Sequence, residues 1–208
     1  MKFLRSIACL ITLAVTADAA LQRRTVATLV TQIDAIQNDT LVLISALNNF
    51  TGTIGTAVPI QFANNNIATA VTAATNDAKT TAPYALIDGI AILSAVQNLT
   101  TTIFESLNVL VEKRSLFAAA GLTDLVTHNL DVQHAASNEF SNALYDISPS
   151  AGLGLAYNAA SCIDNAFSSA RQWSTVGSTC AAATTTPTTT SSPAPFATQF
   201  GAAPSDVV

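Results

Sequence analysis

Charge is what this sequence has least of. Lys, Arg, Asp and Glu make up 10% of its 208 residues, where an ordinary soluble domain carries about 25%. Catalytic sites usually gather several titratable groups, so a chain this poor in them poorly suits an enzyme. Its acidic residues are scattered and give no acid/base pair. No G-x-S-x-G elbow, phosphate-cradling glycine loop or HExxH is present. Ser150-Ala151-Gly152-Leu153-Gly154 is glycine-rich, but no strand pattern precedes it, and it reads as a loose helix start. His128 and His134 are six apart, about 120° on a helix, and cannot share a metal as an i,i+4 pair could. His128 falls on a face with Asp124, Asp131, Glu139 and Asp146, which reads as solvated. Neither a metal nor a cofactor is expected, and the chain is expected not to be an enzyme.

Long hydrophobic runs are also missing. The one compact apolar run, residues 7–15, follows Lys2 and Arg5 and precedes Ala17-Asp18-Ala19. That order predicts a secretory signal peptide over residues 1–19. No other segment reaches the ~20 apolar residues a membrane span requires, so no transmembrane segment is expected. Arg23-Arg24 is either a pro-peptide cleavage signal, making residues 20–24 a pro-segment, or a basic pair on a frayed terminus. Cleavage would start the chain at Thr25 and leave four basic residues against twelve acidic ones, a net charge of −8. Such a balance argues against nucleic acid and anionic headgroups as partners.

Cysteine is scarce too. Cys9 lies in the signal region, which leaves Cys162 and Cys180. In the oxidising compartment that a signal peptide implies, the two are expected to form a disulfide. From residue 183 to 208 Thr, Ser and Pro take over, and such a segment buries too little apolar area to offset its ordering entropy. It reads as a disordered, O-glycosylated tail. Gly201-Ala202-Ala203 is followed by five residues, which provides no hydrophobic tail for a GPI anchor.

What the sequence does have is helical period. Stripes recur along about five segments between residues 25 and 175. The first carries Val26, Leu29, Ile33, Ile36, Ile44 and Leu47, and the second the small residues Ala63, Ala70, Ala74 and Ala78 with Ile67 and Val71. The third, with Leu86, Ile90, Leu93, Thr100, Phe104, Leu107 and Val111, is expected to run close to Gly121. A fourth lines up Leu122, Val126, Gln133, Phe140 and Leu144, and a fifth Ala156, Ala159, Ile163, Phe167 and Ala170. Pro59, Pro83 and Pro149 fall where new stripes begin, as proline at a first helical position should. Ser148 is the expected N-cap of the last helix. No β-hairpin turn chemistry appears, so the expected fold is all-α, an up-and-down bundle with a disordered C-terminal tail. The polar faces are built from Thr, Asn and Ser. Three sequons place Asn38, Asn49 and Asn98 opposite the apolar stripes, where glycosylation would be accessible.

The order of features resembles a fungal family, the hydrophobic surface-binding protein A and cell-wall galactomannoprotein group. The likeness runs from about residue 25 to 173. It rests on the signal peptide, an early helix with Val30-Thr31-Gln32-Ile33-Asp34, and a long third helix ending in Leu110-Val111-Glu112-Lys113-Arg114-Ser115-Leu116-Phe117. A joint at Gly121-Leu122 and a helix ending Phe140-Ser141-Asn142-Ala143-Leu144 follow. The resemblance implies a secreted helical bundle at the cell wall. Some members adsorb to hydrophobic surfaces and recruit hydrolases; others hold fatty acids between helices. The Cys162/Cys180 pair departs from that pattern.

The expectation is therefore a secreted, wall-associated, non-catalytic mannoprotein binding fatty acids, other apolar ligands or hydrophobic surfaces, with wall polysaccharide as a further partner. Small residues at Ala70 and Ala74 would leave space for an alkyl chain, and Leu93, Val96, Ile103 and Leu107 would wall it. Two alternatives remain. One is a helical adaptor or inhibitor docking on a secreted hydrolase through an apolar patch seeded by Val42 and Phe62. The other is a purely structural wall glycoprotein.

Overall fold

The computed structural model describes residues 26–177. The signal peptide, Arg23-Arg24, Cys180 and the Thr/Ser/Pro tail lie outside the described residues. Six helices make up the described part: α1 over residues 26–48, α2 Ile54–Thr80, α3 Leu86–Glu112, α4 Arg114–Ala119, α5 Thr123–Ile147 and α6 Leu153–Arg171. Among the described residues there is no strand.

The threonine-rich composition folds as helix because the hydroxyls close locally. Thr31, Thr40, Thr69, Thr72, Thr75, Thr100, Thr102 and Thr127 each donate to the carbonyl four residues back, at 2.7–3.1 Å. A hydroxyl satisfied by its own helix needs neither water nor a partner helix. That lets Thr40, Thr75, Thr100 and Thr102 be buried without an unpaired polar group, whose burial would otherwise cost about 1–3 kcal/mol.

Successive long helices run antiparallel, and two of the packed seams join helices that are not neighbours in sequence. α2 packs on α5, α5 on α6, and α6 on α3. Asn129 of α5 bonds Gln61 of α2, and Gln133 bonds the Asn64 carbonyl, so α2 and α5 ascend together. His134–Asp164 and Arg171–Asp131 run in opposite order along α5 and α6, an antiparallel pair. Gln32 of α1 bonds Asp77 near the end of α2. α2 and α3, neighbours in sequence, share no packed seam; the core opens between them.

Several details differ from the sequence expectations. The third helix stops at Glu112, and Lys113 turns the chain into the short α4. The turn carries Phe117 inward onto Phe50, with ring centroids 4.4 Å apart, a long-range contact that helix propensity cannot announce. Gly121 then closes α4 with φ at +69°; its N–H bonds Ala118 and that of Leu122 bonds Phe117, a Schellman cap. Pro59 sits inside α2, five residues after its start at Ile54, so it is not a first helical residue and leaves the Gly55 carbonyl without its i→i−4 donor. Ser148 caps no following helix: it ends α5 and donates to the Leu144 carbonyl. Leu86 and Ile90, expected on the core stripe, are 56% and 63% exposed, while Ile92, Ala95 and Leu99 are buried. By length and average composition alone α3 could cross a membrane, although it holds no uninterrupted apolar run of ~20 residues. Threonines and asparagines interrupt its apolar run without offsetting its average.

Candidate functional site

Between the helices lies a cavity of about 210 Å³. All six helices contribute to its wall, for example Ile36, Ile67, Leu99, Phe117, Phe140 and Ile163. On α3 the lining positions extend from Leu86 to Leu110, about 36 Å at 1.5 Å rise per residue. The space is therefore long and thin. Its volume exceeds the ~150 Å³ of an engineered cavity that admits benzene, and falls below the ~300–1,000 Å³ of drug-sized pockets.

The lining reaches the surface at both ends. At the end where α3 and α6 begin, Leu86, Ile90 and Leu155 line the cavity and are all more than half exposed. At the opposite end Leu125, at the start of α5, lines the cavity and is 45% exposed. Beside the first opening Tyr84 is buried. Its hydroxyl and Ser148 Oγ are 2.8 Å apart, and its backbone N–H donates to the Ile147 carbonyl at 3.3 Å. Burial pushes the Tyr84 phenol above its ordinary range, and the Ser148 hydrogen bond partly opposes that rise. The ring lies so close to α3 that a Cβ on Gly89 would stand 2.7 Å from its Cε2. Glycine there is what lets Tyr84 close on the helix.

Polar groups in the wall are neutral. Asn129 Nδ2 donates to Gln61 Oε1 at 3.0 Å, and Gln133 Nε2 to the Asn64 carbonyl at 3.0 Å. Thr40 and Ser106 are satisfied by their own helices. Ser137 and Ser141, one turn apart on α5, line the space. Among the described residues no charged side chain lines it. The four described basic residues are engaged elsewhere: Lys79 with Glu139, Arg171 with Asp131, Lys113 with the Asn48 carbonyl, and Arg114 over the Trp173 ring.

Of the residues singled out from the sequence, Leu93, Val96, Ile103 and Leu107 line this cavity. Ala70 and Ala74 do not: Ala74 is fully buried, and Ala70 packs partly buried against the core. Leu86, Ile90 and Leu155 at the opening and the Gln61–Asn129 pair were not singled out. A signal existed for the polar face, since Gln133 interrupts an otherwise apolar stripe. His134 bonds Asp164 at 2.5 Å and stacks on Phe167, joining α5 to α6, while His128 is exposed. Asn38, Asn49 and Asn98 are all exposed. Cys162 sits partly buried on α6. Val42 and Phe62 are exposed, and Phe62 continues Ile54 and Val58 as an exposed apolar stripe on α2.

Solved structures share this architecture. AfMp4p in complex with palmitic acid is 28% identical, with a TM-score of 0.70 over 71% of this chain and 98% of that one. Ligand binding domain 1 of the Penicillium marneffei MP1 protein, complexed with arachidonic acids, is 18% identical, with a TM-score of 0.66 over 69% of this chain and 93% of that one. Domain 2, complexed with multiple arachidonic acids, is 17% identical, with a TM-score of 0.66 over 69% and 91%. At the identity of the two MP1 domains the likeness is one of fold. No curated protein matches the chain. Residues 26–146 match the hydrophobic surface binding protein A family, and a six-helix bundle around a long apolar cavity belongs, with that match, to this family.

Proposed function

We propose that this chain is a secreted, non-catalytic carrier that buries long acyl chains between its helices. The observation that carries the reading is the uncharged cavity following α3 from Leu86 to Leu110. The palmitic acid held by AfMp4p supports it from a structure of the same fold. Burying an alkyl chain yields roughly 0.8 kcal/mol per CH₂. Ten methylenes would then contribute roughly 8 kcal/mol, the scale of a micromolar complex before the costs of immobilisation. The volume present is small for such a chain, so binding requires the helices to part. α2 and α3 are the natural place, because no packed seam joins them.

The same reading places the protein outside the cell at the wall, with Asn38, Asn49 and Asn98 glycosylated and Cys162 bridged to Cys180. The exposure of the three asparagines supports this. Adsorption to apolar surfaces, alone or alongside a secreted hydrolase, is a second reading. The exposed stripe of Ile54, Val58 and Phe62 favours it.

Displacement of a fluorescent fatty acid by palmitic acid tests the carrier reading. Saturable displacement at one or two sites per chain is expected. Absence of saturable binding, with retained adsorption to polystyrene beads, would put the surface reading in its place.

A further inference from the structure

We propose that the cavity prefers uncharged headgroups: it takes long-chain alcohols, and fatty acids in their protonated form, ahead of fatty carboxylates. The inference rests on the acyl-chain reading above and specifies the ligand class of that site. Its basis is the distribution of charge. No described lining residue is charged, and each of the four described basic residues already has a partner that is not part of the lining. A carboxylate drawn among these helices would lose water without meeting a cation, and an unpaired buried charge is strongly disfavoured. A hydroxyl would fare better. The amides of Gln61, Asn129 and Gln133 and the hydroxyls of Ser137 and Ser141 offer both donors and acceptors to a neutral group.

The flank of the first opening reinforces the preference. Asp88 occupies the first turn of α3, so the positive end of that helix dipole, where Leu86 and Ile90 line the opening, is already answered. Of the groups that titrate within the protein, Tyr84 faces the cavity, while His128 and His134 do not line it.

The test compares dodecanol with dodecanoate on the full-length secreted protein, by competition against one neutral fluorescent lipid at pH 5 and pH 8. Dodecanol is expected to bind roughly tenfold more tightly than dodecanoate at pH 8, a difference of about 1.4 kcal/mol. Dodecanoate should tighten by a similar factor on going to pH 5, because the site favours the protonated form. Dodecanol, with no proton to gain, should hold its affinity and so reports any titration of the protein itself. Ile90→Lys and Leu125→Lys place a cation at exposed positions at opposite ends of the cavity. At least one should narrow the gap between the two ligands at pH 8, each pair being compared within the same variant. Dodecanoate binding as tightly as dodecanol at pH 8, or a gap that neither lysine narrows, would overturn the proposal while leaving the acyl-chain reading intact. Failure of both ligands at both pH values would sink the acyl-chain reading and this inference with it.

Discussion

Phe50 and Phe117 stack with ring centroids 4.4 Å apart and planes 18° from parallel. Phe50 follows α1, whereas Phe117 belongs to α4 and lines the far end of the cavity. Trp173, after α6, approaches Phe117 at 6.5 Å and carries Arg114 over its ring. The residue adopts a φ of +52°, a left-handed conformation uncommon outside glycine. Its N–H bonds Ala170, and that of Ser174 bonds Ser169, so the turn caps α6 while delivering the indole to the cluster. Phe117→Ala should cost about 3–5 kcal/mol, the range for a buried phenylalanine. Urea unfolding followed by Trp173, the only tryptophan, measures it.

Tyr84 joins the start of α3 to the end of α5. Tyr84→Phe removes the bond to Ser148, which keeps its own bond to Leu144. The expected loss is about 1 kcal/mol at neutral pH. In the folded protein the phenol titrates above its unfolded value. Its contribution is complete below pH ~10 and declines as pH rises toward the folded pKa, because the unfolded chain then releases the proton first. Urea unfolding between pH 9 and pH 11 should show a fall in wild-type stability that is shallower in Tyr84→Phe.

Gly89 faces the Tyr84 ring. In an open helix position Gly→Ala is worth up to about 1 kcal/mol of added stability. Here the new Cβ would meet Cε2 at 2.7 Å, so Gly89→Ala should destabilise instead. Combining it with Tyr84→Ala removes the clash, and in that background alanine should show its ordinary helical advantage. Equal effects of Gly89→Ala in both backgrounds would contradict the contact.

Filling the cavity should hurt binding more than folding. Val96 lines it and is partly buried. Val96→Phe should occupy open space, leaving the melting temperature level or raised while acyl affinity falls. Ala74 is fully buried and away from the cavity, so Ala74→Leu should overpack, at a cost of about 1–3 kcal/mol. Parallel thermal unfolding and fluorescent fatty-acid binding separate the two outcomes.

The bundle was legible because its stripes are long and clean. Every residue placed on the α1 stripe is buried, from Val26 to Leu47. The break at Lys113 was not, since Arg114-Ser115-Leu116-Phe117 continues a helical pattern and the turn is made for Phe50, far away in sequence. Leu93, Val96, Ile103 and Leu107 could be read as a wall because α3 has apolar positions beyond those its packing face needs. Ala70 and Ala74 could not be placed, because small residues serve close packing and open space equally well. Only the three-dimensional pairing of α2 with α5 and α3 with α6 shows that the space opens between α2 and α3. The sequence does not encode that pairing locally.

Native mass spectrometry of the secreted protein, before and after incubation with palmitic acid and hexadecanol, tests the central claim most directly. The expected result is a noncovalent adduct of acyl-chain mass on the folded charge states, lost on collisional activation and reduced in Val96→Phe. Bare protein under every condition, or adducts that persist unchanged in Val96→Phe, would contradict an acyl chain held between these helices.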